Sequence, residues 1–94
     1  MREKEIENYL VKKVKKLCGL CFKFVSPGNA GVPDRIVIKD GKLIFIELKA
    51  PEKGVRALQR LQIDRLLKHE QVVYVADSKE KIDLILKQEF GYGV

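Results

Sequence analysis

The chain has two cysteines, one histidine, no internal repeat and no long apolar run, and each scarcity excludes something. Cys18 and Cys21 form a C-x-x-C, but a redox dithiol wants that motif at a helix N-terminus after a strand. Here it follows a helical pattern and precedes a strand. A structural zinc site needs four ligands, and His69 is the one further candidate. The pair therefore reads as two small buried hydrophobes. No run approaches the roughly 18 apolar residues of a membrane span. Met1-Arg-Glu-Lys-Glu5 opens on charge and leads into no apolar signal region. The expected setting is soluble and cytoplasmic.

What the chain does have is charge and a small core. Ninety-four residues make one domain, 1–94, with 46% hydrophobic content, a globular and not a disordered composition. A core of that size gives modest stability, so dimerisation would be unsurprising. The net charge of +6 favours polyanionic partners such as nucleic acid.

Residues 3–18 carry an amphipathic helical pattern in which Ile6, Leu10, Val11, Val14, Leu17 and Cys18 share one face and the lysines lie outside it. Glu7 falls inside that apolar stripe. A carboxylate there is expensive unless paired or metal-bound, although an acid in the first turns also suits the helix dipole. Gly19 is expected to end the helix as its C′ residue. A short strand, 21–25, leads to a turn-rich loop, Ser26–Pro33. Strands at 34–39 and 43–49, a helix at 55–69, a strand at 71–76 and a helix at 79–89 follow. In the helix at 55–69, Gln59 and Gln62 fall on the apolar side. Buried glutamines need partners, and Gln62 reads more simply as a helix-edge residue. The strand at 71–76 is apolar on both faces and so central or parallel. Asp77 and Ser78 offer N-caps for the last helix, with Glu80 completing a capping box from Asp77. The order is α-β-β-β-α-β-α, an α/β fold with a mixed sheet flanked by helices.

The most informative feature is the segment from Asp34 to Lys49. Two β-branched, apolar runs flank Asp40-Gly41, and Asp-Gly between such runs signals a type I′ hairpin. That turn pairs Lys39 with Lys42 and, counting outward, sets Asp34 opposite Glu47. Like charges directly opposite are destabilising. A divalent cation held between the two carboxylates would offset the repulsion. Lys49 shares the face of Glu47, because side chains alternate with period two. Paired acids beside an ammonium suit metal-assisted phosphodiester hydrolysis. A three-residue turn would slip the register and leave both acids as ordinary strand-end charges.

Five ordered blocks extend this pattern: Ile6-Glu7, Lys23-Phe-Val-Ser-Pro-Gly28, Gly31-Val-Pro-Asp-Arg-Ile36, Ile46-Glu-Leu-Lys-Ala50 and Leu58-Gln59. Together they resemble a stand-alone VRR-NUC domain, the virus-type replication-repair nuclease module of the PD-(D/E)xK superfamily. The resemblance covers nearly the whole chain. One departure is Arg56-Ala57, where the family often has Ser-Pro. The resemblance implies a restriction-endonuclease-like fold. It also implies Mg²⁺ or Mn²⁺ bound by Asp34, Glu47 and the Leu48 carbonyl, with Glu7 completing the acidic cluster. Lys49 would position or activate the attacking water, and Gln59 would support the site. Small members of this kind resemble Holliday-junction resolvases and act as homodimers, mostly from phages and bacteria.

The expected activity is metal-dependent, structure-selective endonuclease cleavage of branched DNA. Lysines of the first helix, with Lys23, Ser26, Arg35 and Arg56, are expected to meet phosphates. Ile82, Ile85, Leu86 and Phe90, near a short glycine-containing tail, are the expected dimer surface. Two rivals use the same features differently. One is a basic DNA-binding protein without catalysis. The other is an adaptor that uses the nuclease fold as a protein interface and has no metal affinity.

Overall fold

The computed structural model describes residues 1–91. Its elements are α1 (Glu3–Lys16), β1 (Leu20–Lys23), β2 (Arg35–Lys39), β3 (Lys42–Leu48), α2 (Ala57–Lys68), β4 (Val73–Ala76) and α3 (Lys79–Phe90). The order is the one expected. The sheet runs β1-β2-β3-β4, antiparallel up to β3 and parallel between β3 and β4. β4 is thus parallel, as its apolar sequence suggests, but it lies at an edge of this four-stranded sheet.

The hairpin turn is as expected. Asp40 and Gly41 both have positive φ, 52° and 77°, as a type I′ turn demands. Lys39 pairs with Lys42 and Arg35 with Ile46. Along β1, Leu20 pairs with Ile38 and Phe22 with Ile36. These registers sort the side chains into two faces. One face carries Val37, Ile44, Ile46, Leu48 and Ala76, which form the core with Ile6, Leu10 and Val14 of α1 and Ile82, Ile85 and Leu86 of α3. On the other, Leu20–Ile38–Leu43 makes one row, and Phe22–Ile36–Phe45–Val73 the next. One step further along the strands, that face reaches Asp34 and Glu47.

Local details depart from the sequence reading. α1 stops at Lys16, and Cys18, not Gly19, takes the left-handed conformation after it, with φ 62°. Gly19 is needed for space instead: a Cβ there would stand 3.0 Å from Val14 Cγ1. Cys18 is consequently exposed, outside the apolar stripe assigned to it, while Cys21 is half-buried against the core. Both are free thiols, and burial pushes the Cys21 thiol up. Ser78 caps α3 by accepting the Lys81 N–H at 3.0 Å, so no capping box runs from Asp77 to Glu80. Gln62 is no edge residue. It is 8% exposed and donates from Nε2 to the Ala30 carbonyl at 3.2 Å, pinning the 26–33 loop to α2. Ile82, Ile85 and Leu86 are at most 1% exposed inside this chain's own core, so they cannot form a dimer surface. The glycine-containing tail beyond Gly91 lies outside the described residues.

Candidate active site

Asp34 ends the loop held by Pro33 and continues the β2 register to the position opposite Glu47. Its Oδ2 accepts the Leu48 N–H at 2.9 Å, which fixes the carboxylate across the strand gap. Leu48 therefore orients Asp34 through its amide, whatever its carbonyl does for a cation. Glu47 is 2% exposed, and Lys49 is 6% exposed with Nζ 3.5 Å from Glu47 Oε2. The other oxygen, Oε1, is buried with no hydrogen-bond partner.

A buried charged oxygen without a partner is costly, and the proton affinity of Glu47 reflects this. Its pKa is pushed up to about 7, first by burial and then by the Asp34 charge, against the pull of Lys49. The like-charge opposition inferred from the hairpin is therefore present electrostatically. At neutral pH Glu47 is therefore only partly ionised, and added positive charge would favour its carboxylate.

The remaining predicted residues are placed as follows. Glu7 projects from α1 onto Arg35, whose Nε lies 2.9 Å from its Oε2, with Lys4 at 3.7 Å. The exception for a paired acid on the apolar stripe is thus met by Arg35. Arg35 and Lys23 pair across β1 and β2 on the α1 side of the sheet, opposite in face to Asp34 and Glu47. Of the α1 acids, Glu3 adds a minor upward push to the Glu47 pKa, after burial and Asp34. Glu3 lies outside the apolar stripe and so was not weighed in the sequence, and its push is the smallest of the three. Among the described residues, no three His, Cys, Asp or Glu side chains gather as a preformed metal cluster.

Gln59 accepts the Arg56 N–H at 3.0 Å, capping the start of α2 where Ser-Pro is absent. Arg56 is exposed beside it. Ser26 accepts the Asn29 Nδ2 amide at 2.9 Å within the loop. Gly31, at φ +93°, presses this loop onto α2, since a Cβ there would lie 2.8 Å from the Leu58 carbonyl oxygen. Loop, α2 and hairpin end are thereby held together around Asp34. Among the described residues, no helix is long and apolar enough to cross a membrane.

The donor set suits a hard divalent cation: two facing carboxylates, one with an unpartnered buried oxygen, beside an ammonium. Comparison with known proteins agrees with nuclease chemistry. No family model matches the chain. A protein of Acyrthosiphon pisum secondary endosymbiont phage 1, named "Putative nuclease p44", is 44% identical over 81 residues, which are 85% of this chain and 87% of that protein. A solved structure titled "VRR_NUC domain" superposes with a TM-score of 0.82 at 26% identity, covering 94% of this chain and 96% of that one. Ordered motifs, fold and relatives converge: the chain belongs to the VRR-NUC nucleases.

Proposed function

We propose that this nuclease is a divalent-metal-dependent endonuclease that cuts branched DNA as a homodimer. The observation that carries the metal dependence is the buried, unpartnered Oε1 of Glu47 facing Asp34. Asp34 and Glu47 would hold Mg²⁺ or Mn²⁺, with the Leu48 carbonyl available, and the ion would supply polarisation of the scissile phosphate and a more acidic bound water. The chain's own groups set up that chemistry. Asp34 is oriented by the Leu48 amide, and Glu47 would release its proton to solvent when a cation binds between them. Lys49, held against Glu47, orients the nucleophile and meets negative charge developing on the phosphate. Gln59 keeps the first turn of α2 in place beside the loop that delivers Asp34. Lys23, Arg56 and the exposed lysines of α1 meet flanking phosphates, a role for which the net charge of +6 is suited.

The second copy docks on the far end of the acid-bearing face. Leu20 and Phe22 are 51% and 52% exposed there, in rows with Ile38, Leu43 and Ile36 that hold no charged side chain. It is a surface on which two strongly basic chains can meet without opposing lysines. The acids lie on the same face, so a two-fold axis through it would fix the spacing of two active sites.

The test is a panel of four-way, flap, nicked and linear DNAs with Mg²⁺, Mn²⁺ or EDTA, alongside light scattering. Metal-dependent cutting that favours branched DNA, lost in Asp34→Asn, is the expected result. Cutting in EDTA, or an active Asp34→Asn, would overturn the metal reading. A monomer that cuts linear and four-way DNA equally would overturn the structural selectivity.

A further inference from the structure

Beside the acids lies a cavity of about 250 Å³ that the hydrolytic groups do not use, between the 26–33 loop and the C-terminal half of α2. Phe24, Val32 and Leu66 form its apolar wall, and Asn29, Arg65 and His69 stand on its polar side. It is built, not incidental. Gln62 Nε2 ties the Ala30 carbonyl to α2 at 3.2 Å, and Gly31 locks the loop at its closest approach. Phe24 joins it to the active site twice. Its N–H donates to the Asp34 carbonyl at 2.9 Å, and its ring centroid lies 5.5 Å from that of Phe45, two residues before Glu47.

We propose that this cavity receives one unpaired base of the DNA being cut, an inference that rests on the nuclease reading and gives it a source of structural selectivity. The chemistry fits one nucleotide. An aromatic and aliphatic wall offers a surface for a base, which stacks without regard to sequence because every base has a π-face. Arg65 on the rim can meet the attached phosphate, its guanidinium making a long 3.5 Å hydrogen bond to Gln62 Oε1. The volume is below the range typical of drug-sized ligands, so it suits a single ring system and not a folded element. A base inside a duplex must first be unstacked and unpaired, whereas a base at a branch, flap or mismatch is already free. The cavity therefore converts an interruption in the duplex into affinity next to Asp34 and Glu47.

Asp34→Asn protein would be titrated, with Ca²⁺, onto two DNAs that carry 2-aminopurine. In one the fluorescent base is unpaired at a bulge, and in the other it is paired. We expect roughly tenfold tighter binding of the bulged DNA, the scale of one stacked base, together with quenching of the unpaired fluorophore. Asn29→Trp, an exposed loop substitution that fills the mouth, should bring the affinity ratio close to one and abolish the quenching. Arg65→Ala should lower the ratio partially. Equal affinities with unchanged fluorescence, or a preference that survives Asn29→Trp, would overturn the proposal. The two readings fail separately. A wild-type chain that hydrolyses no DNA with any metal, while Asp34→Asn keeps the bulge preference, loses the nuclease reading and keeps the base pocket. A chain that cuts DNA with no bulge preference loses only the pocket.

Discussion

The two faces of the sheet are built to different rules. On the α1 and α3 side, Val37, Ile44, Ile46 and Leu48 are at most 1% exposed, and two helices close over them. On the α2 side, Leu20, Phe22 and Leu43 remain open to solvent, and one end carries an acid whose proton affinity is raised by its surroundings. The first face supplies most of the apolar burial that holds the chain folded. The second tolerates open apolar rows, a buried unpaired oxygen and opposed carboxylates, each unfavourable to the free monomer. Such costs persist where binding relieves them, so this face is the one that suits the proposed metal and second copy.

The contrast is broken most strongly by a cavity on the closed face. Ile6→Ala should destabilise the chain by about 2–5 kcal/mol, because its site is fully buried between α1, α3 and the sheet. A loss near zero in chemical denaturation would show that the closed face is not the main source of stability.

Lys49→Ala acts on the open face and on activity. Cleavage should fall roughly 10²- to 10³-fold, the scale for removing one transition-state contact, with DNA affinity nearly unchanged. Since Lys49 opposes the rise in the Glu47 pKa, the residual activity should also move to higher pH. Proportional loss of binding and cutting would make the lysine a phosphate anchor.

Glu47 tests whether the site costs stability. Its folded pKa of about 7 exceeds the ordinary value of 4.5, so the folded chain holds this proton more tightly than the unfolded one. That contribution is complete below pH 4.5 and is lost as pH rises through 7. Thermal melts in EDTA should show a fall on the order of 3 kcal/mol at most across this range. Glu47→Gln should flatten the profile, and a divalent ion should restore the wild-type loss at high pH. An unchanged slope in Glu47→Gln would remove Glu47 as its cause.

Phe22→Ser is the mildest change for the monomer, within about 0.5 kcal/mol, as for surface positions generally. Its effect should appear in assembly, with the dimer falling apart in sedimentation at micromolar concentration. A dimer that persists would move the interface off the Leu20–Phe22 rows.

Local rules made the hairpin legible. An Asp-Gly turn and alternating side chains set the register by themselves, so Asp34, Glu47 and Lys49 could be placed together before any tertiary contact was known. The α-β-β-β-α-β-α order was readable for the same reason, since hydrophobic period and turn chemistry act over a few residues. What escaped the sequence depends on approach between distant segments. Glu7 found Arg35 across the gap between α1 and β2, and Gln62 became buried because the 26–33 loop folds onto α2. The apolar stripes of α1 and α3 were plain, but which stripe would be closed and which sheet face left open was not. Periodicity tells a side chain's direction from its own helix or strand. Only the packed fold decides what stands opposite, and so which groups are satisfied and which are left to bind something else.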